Sequence, residues 1–190
     1  MTDEKVYIPY KVQKGNRPKM EEVVNYCLDG ELKKSAYDFV MFMRDNKMPF
    51  RITSSCTRGQ NAKYGGYEVC SIMAMESGGD FRPPDELQWW RISPKLYNIN
   101  KYDDLAITEG FTIPWEVTRY CCYKDKPEDW VDGGAICSKC KRITNRTIFG
   151  IEYNGLCHHY WPEFYNPDKA TIKSIKRLLE LEKMARDGLI

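Results

Sequence analysis

The chain has 190 residues, 42% of them hydrophobic and 29% charged, with a formal net charge of +2. That size and balance fit one soluble globular domain, or one with a small appendage, and exclude a disordered chain. The near-neutral charge gives little support to a polyanion partner, and the apolar runs fall far short of a membrane span.

The opening MTDEKVYIPY lacks a signal-peptide core, so the expected location is the cytoplasm. There, eight cysteines read as thiols or metal ligands rather than disulfides. Any single one, such as Cys27, Cys56 or Cys70, reads equally as a small buried apolar residue. Five Trp, thirteen Tyr and seven Phe favour a sheet with a well-filled face, or a pocket lined by rings.

In chain order, Met1 to Arg17 is polar, with Tyr7, Ile8 and Tyr10 suggesting a short extended piece. Pro18 suits a helix start; Met20, Val23, Val24 and Cys27 follow at helical spacing, and Gly30 is placed as the stop. A second helix is predicted from about Leu32 to Asn46, with Leu32, Ala36, Phe39, Val40 and Met43 on one face and Pro49 beyond its end. Phe50–Ser55 reads as a strand. Ala62–Tyr64 and Tyr67–Met75 read as a hairpin about Gly65-Gly66. Leu87–Ser93 is a further strand, and Tyr102 to Glu109 a short helix with Asp103 and Asp104 in its first turn. Trp115 to Tyr123 fits helix or strand. Lys124 to Gly134, charged and rich in turn formers, is a candidate boundary. Asn166-Pro167-Asp168 opens a terminal helix with Ile172, Ile175, Leu178, Leu179 and Met184 along its stripe. Lys173, Lys176, Arg177, Lys183 and Arg186 are assigned to its solvated side.

The expected fold is therefore α+β: an antiparallel sheet covered by helices, followed by a cysteine-containing C-terminal segment and a terminal helix. Residues 1–130 read as the α+β core. Residues 131–190 read as a zinc-knuckle-like segment and helix packed on it, the two making one structural unit.

Chemistry concentrates in Cys137-Ser138-Lys139-Cys140 and, after sixteen intervening residues, Cys157-His158-His159. A CxxC turn aims two thiolates at one point, and zinc accepts Cys sulfur at roughly 2.3 Å in a tetrahedron. The predicted ligands are Cys137, Cys140 and Cys157, with His158 or His159 as the fourth and Cys121 or Cys122 as competitors for that place. Four protein ligands would make the zinc structural. Two other readings stand beside this one, namely buried free thiols and a redox CxxC, the latter without its usual βαβ context.

Other constellations are weaker. The two histidines lie in one dipeptide and no GxSxG elbow accompanies them; no Walker-type phosphate loop occurs. Lys139, Lys141, Arg142 and Arg146, near Phe149 and Tyr153, could grip single-stranded nucleic acid, or could be a solvated turn beside thiolates. Trp89, Trp90, Tyr64, Tyr67 and Trp115 admit an aromatic groove for a small molecule or partner protein. Trp89 and Trp90 are adjacent in a strand, so they face opposite ways, and core packing on both sides is the competing account.

The run from Tyr37 to Met75, with its helix, Phe50 strand, Lys63-Tyr64-Gly65-Gly66 hairpin and Val69-Cys70 strand, resembles small bacterial α+β proteins, YdhG-like in general plan. The closing Asn166-Pro167-Asp168 helix is similar to theirs. The resemblance implies a bacterial cytosolic α+β protein and supplies no activity. The leading expectation is a non-catalytic binding protein with structural zinc. The alternatives are a nucleic-acid-associated protein using 139–146 and an enzyme acting through Cys157, His158 or His159.

Overall fold

The computed structural model describes residues 18–53, 56–76, 88–111, 130–131, 136–137, 143–149, 151–157 and 162–190. In chain order these form α1 (Met20–Cys27), α2 (Gly30–Asp45), β1 (Phe50–Thr53), β2 (Cys56–Tyr64), β3 (Tyr67–Glu76) and β4 (Gln88–Pro94). A 3₁₀ turn (Ile99–Lys101), α3 (Asp103–Thr108), β5 (Trp130–Val131), β6 (Ile136–Cys137), β7 (Ile143–Ile148), β8 (Ile151–Cys157), β9 (Phe164–Tyr165) and α4 (Lys169–Arg186) follow. The chain divides into two compact units, Met1–Ser93 with Phe164–Ile172, and Pro94–Glu163 with Lys173–Ile190.

In the first unit α1 buries Met20, Val23, Val24 and Cys27, and α2 buries Ala36, Phe39, Val40 and Met43. Each set recurs every three to four residues, so each helix turns one apolar stripe inward. The Lys19 backbone N–H donates to Glu22 Oε2 at 2.9 Å, closing the first turn of α1. Gly30 is not the end of α1, as the sequence suggests, but the first residue of α2 at φ +54°. Leu28, fully buried, draws the chain inward after Cys27, and a φ that glycine adopts cheaply lets α2 begin at once.

The first sheet is antiparallel and open, in the order β1-β2-β3-β4-β9. Its central hairpin turns on Gly65 and Gly66, at φ +56° and +86°, with Tyr64 opposite Tyr67. Two positive φ values match the right-handed twist of the flanking strands. Cys70, Ile72 and Ala74 alternate along β3 and are buried, while Ser71 and Met73 are half-buried. Phe39 of α2 lies 6.1 Å from Trp90 and 6.3 Å from Phe50, centroid to centroid, which seats the helix on the sheet. At the other edge, Trp90 N–H donates to Asn166 Oδ1 and Asn166 N–H donates to Trp90 O, both at 2.9 Å, extending the β4–β9 pairing.

The second unit carries a four-stranded sheet in the order β5-β6-β8-β7. Its β7–β8 hairpin turns at Phe149, which has φ +51°. The Phe149 N–H donates to Asp103 Oδ1 at 2.5 Å, so the first residue of α3 fastens the hairpin turn. The α+β class expected from the sequence is the one observed. Among the described residues no helix is long and apolar enough to cross a membrane.

Candidate functional site

Two of the predicted zinc ligands lie in the second sheet, where the backbone register fixes their relation. Ile136 on β6 is paired with Leu156 on β8, and Ile143 on β7 with Cys157. Antiparallel counting from the first pair sets residue 137 across from residue 155, so Cys137 and Cys157 are diagonal neighbours. Such neighbours stand about 7–8 Å apart between Cα atoms.

β8 lies between β6 and β7 in the strand order, and Cys157 at the end of β8 is paired with Ile143, the first residue of β7. Cys140, His158, His159, Cys121 and Cys122 lie outside the described residues. Among the described residues no cluster of three or more His, Cys, Asp or Glu side chains could hold a metal ion.

The aromatic set separates. Trp89 and Trp90 are both fully buried, each on its own side of β4. Trp90 packs on Phe39, and Trp89 lies 5.6 Å from the Tyr165 ring. Neither indole N–H has an acceptor among the described residues. Tyr64 and Tyr67 pair at the hairpin end, where Tyr67 is 63% exposed. Trp115 lies outside the described residues. No described element therefore gathers the five rings into one groove; the Trp pair belongs to the interior and the Tyr pair to the tip of a hairpin.

Of the basic set, Lys139, Lys141 and Arg142 lie outside the described residues. Arg146 on β7 is paired in register with Tyr153 on β8.

The most developed polar cluster of the second unit centres on Glu182, which the sequence reading does not single out. Glu182 is fully buried on α4. Its Oε2 accepts from Tyr102 OH at 2.8 Å and from Asn98 N–H at 3.0 Å, and its Oε1 accepts from Asn98 Nδ2 at 2.9 Å. Arg186, one turn on, brings Nη2 to 2.7 Å from Oε1, pairing by charge rather than through an aligned hydrogen bond. Lys101 Nζ donates to the Ala185 carbonyl at 3.3 Å, and the Arg186 guanidinium stands 5.7 Å from the Tyr97 ring centroid. The stretch Tyr97–Tyr102 thus clasps the last turn of α4. Burial pushes the Tyr102 hydroxyl well above its usual pKa, and the Glu182 charge and hydrogen bond push it the same way.

This clasp ties Asn98 and Tyr102 to α4 through the Glu182 carboxylate. It also corrects the reading of the helix: Arg186 is not on a solvated side, its side chain being 10% exposed. The signal was present in the spacing, since residue 182 falls seven after Ile175 and so on the apolar stripe. Its partners, about eighty residues earlier, give no local sign.

No family model, no curated protein and no solved structure matches the chain.

Proposed function

We propose that this is a non-catalytic binding protein whose second sheet is fastened by structural zinc. Cys137, Cys140, Cys157 and one of His158 and His159 supply the four ligands. The observation that supports this reading is the register of β6, β7 and β8, which makes Cys137 and Cys157 diagonal neighbours at one end of a sheet. Thiolates drawn to that end repel one another, and a divalent cation relieves the repulsion while adding directed bonds. With four protein ligands no coordination position is left for water, and the zinc has no catalytic part.

The binding surface of this reading is the hairpin tip with Tyr64 and Tyr67, and the ligand is a small molecule or a partner protein. Both parts are open to direct measurement. Elemental analysis of the purified chain is expected to give about one zinc per molecule. A metabolite screen is expected to raise the melting temperature of the wild type and not of Tyr67→Ala. A zinc-free, fully folded protein removes the metal half of the reading.

One observation favours a second reading. The register pairing of Arg146 with Tyr153 sets a cation and a ring at neighbouring positions on the β7–β8 hairpin, the arrangement that single-stranded nucleic acid uses for phosphate contact and stacking. Binding of a single strand that weakens steeply with salt, and disappears in Arg146→Ala, would favour it. A metal centre with three protein ligands and a bound water would favour the enzyme reading.

A further inference from the structure

Polar contacts at both ends of α3 tie this short helix to the rest of the second unit. Tyr102, its cap residue, donates its hydroxyl to Glu182 Oε2 on α4 at 2.8 Å. Asp103, its first residue, accepts from the Phe149 N–H at the turn of the β7–β8 hairpin. Glu109, at the far end, accepts hydrogen bonds from Arg177 of α4 at 2.7 and 2.8 Å. Residue 102 meets residue 182 and residue 109 meets residue 177, so α3 runs antiparallel along α4. The apolar hold of α3 itself is slight. Ala106 is its one buried apolar residue, while Leu105 and Ile107 are 38% and 44% exposed. The ends carry the attachment.

The hairpin turn needs such a hold. Phe149 lies at φ +51°, and Ile148 pairs with Ile151 across the turn. A left-handed backbone in a short hairpin loop suits Asn, Asp or Gly, and an aromatic residue is strained there. The Asp103 carboxylate on the Phe149 N–H offsets that strain; without it the strain favours another turn conformation.

We propose that α3 is a latch coupling the β7–β8 hairpin to the Glu182 clasp. Closed, the bond from Tyr102 to Glu182 fixes the start of α3, and Asp103 beside it holds the Phe149 turn in its left-handed form. Open, the start of α3 shifts, Asp103 leaves the turn, and Phe149 relaxes. The turn is the two-state element whose balance both ends bias. Coupling is reciprocal, so holding the turn tightens the clasp and loosening the clasp frees the turn. The hairpin bears Arg146 paired with Tyr153, and the latch sets the conformation in which that pair is presented.

Amide hydrogen exchange of the full chain, resolved by residue with NMR, tests this on the wild type, Tyr102→Phe, Phe149→Gly and the double variant. Tyr102→Phe removes one hydroxyl and keeps the buried ring. It is expected to speed exchange at Phe149 and along β7 and β8 by about threefold or more, with β2 and β3 of the first unit unchanged. Phe149→Gly frees the left-handed turn of strain, so in that background the effect of Tyr102→Phe on β7 and β8 should shrink to less than about 1.5-fold. Asp103→Ala reads the coupling from the other side and should speed exchange at residues 182–186 of α4. Acceleration by Tyr102→Phe confined to 97–102 and 182–186, or no change at 182–186 in Asp103→Ala, shows separate anchors and overturns the inference. Equal acceleration in β2 and β3 shows a general loss of stability and overturns it too. An undiminished effect in the Phe149→Gly background removes the strained turn from the coupling, and the latch with it.

Discussion

The two units of this chain solve the same problem by different means. In the first, four strands of four to ten residues and the two-residue β9 pair into a five-stranded sheet, and the interior is apolar and aromatic: Phe39, Trp89, Trp90, Ile72, Met20. Its buried polar residues are the uncharged Gln60, whose Nε2 donates to the Pro18 carbonyl at 2.8 Å, and Ser93. In the second unit both buried acids of the described residues occur, Asp103 and Glu182, each receiving hydrogen bonds from chain far away in sequence. In the first unit apolar burial dominates, whereas in the second directed polar contacts tie α3 to the β7–β8 turn and Tyr97–Tyr102 to α4.

The sharpest way to break that contrast is to remove the Glu182 carboxylate. Glu182→Ala leaves the Tyr102 and Asn98 donors without this acceptor and removes the carboxylate 2.7 Å from the Arg186 guanidinium. Loss of one partner of a buried pair costs about 3–5 kcal/mol. Urea unfolding should show that loss, and a change below about 1 kcal/mol would mean the clasp is incidental. Trp90 gives the opposite pattern in the first unit. Trp90→Ala should cost about 3–5 kcal/mol through the cavity it opens. Trp90→Phe keeps a ring against Phe39 and deletes an N–H that has no described acceptor, so it should cost clearly less than the alanine change, the remainder being the smaller cavity it leaves. Shape matters there; polarity does not.

This difference also explains what could be read in the sequence. α1, α2 and the β2–β3 hairpin were legible because their signals are local: Phe39, Val40 and Met43 at helical spacing, and a glycine pair between extended arms. The sequence suggests Ala62 as the start of the hairpin's first arm, whereas β2 runs from Cys56. Cys56-Thr57-Arg58-Gly59-Gln60-Asn61 shows no apolar alternation; it is a strand because β1 and β3 flank it. At the candidate site, the CxxC and Cys-His pairs were visible, but not that β8 separates β6 from β7. Nothing in the spacing of Cys137, Ile143 and Cys157 announces a strand order. The Glu182 clasp was hidden for the same reason, since a lone carboxylate on an apolar stripe is conspicuous only once its donors are known.

A smaller effect is expected at the hairpin turn. Gly65→Ala places a side chain at φ +56°, where no neighbouring atom lies within 4 Å of the added Cβ, so the cost is conformational alone. It should be about 1–2 kcal/mol in thermal or urea unfolding. A neutral result would show that the turn can change type without loss of the Tyr64–Tyr67 register.

The smallest effect separates the two units by pH. Tyr102 is held neutral by burial and by the adjacent Glu182, so its folded pKa lies well above the unfolded value of about 10. Below that value both states keep the proton and this group adds no pH dependence to stability. Above it the unfolded chain loses the proton while the folded one retains it, so stability falls as pH rises towards the folded pKa. Tyr102→Phe should therefore cost about 1 kcal/mol at pH 7, the worth of one hydrogen bond, and should flatten the alkaline slope measured between about pH 9.5 and 11. The slope is the informative readout. A structural defect alone would lower stability equally at every pH, whereas loss of a buried titrating hydroxyl brings the variant and the wild type together as the pH climbs.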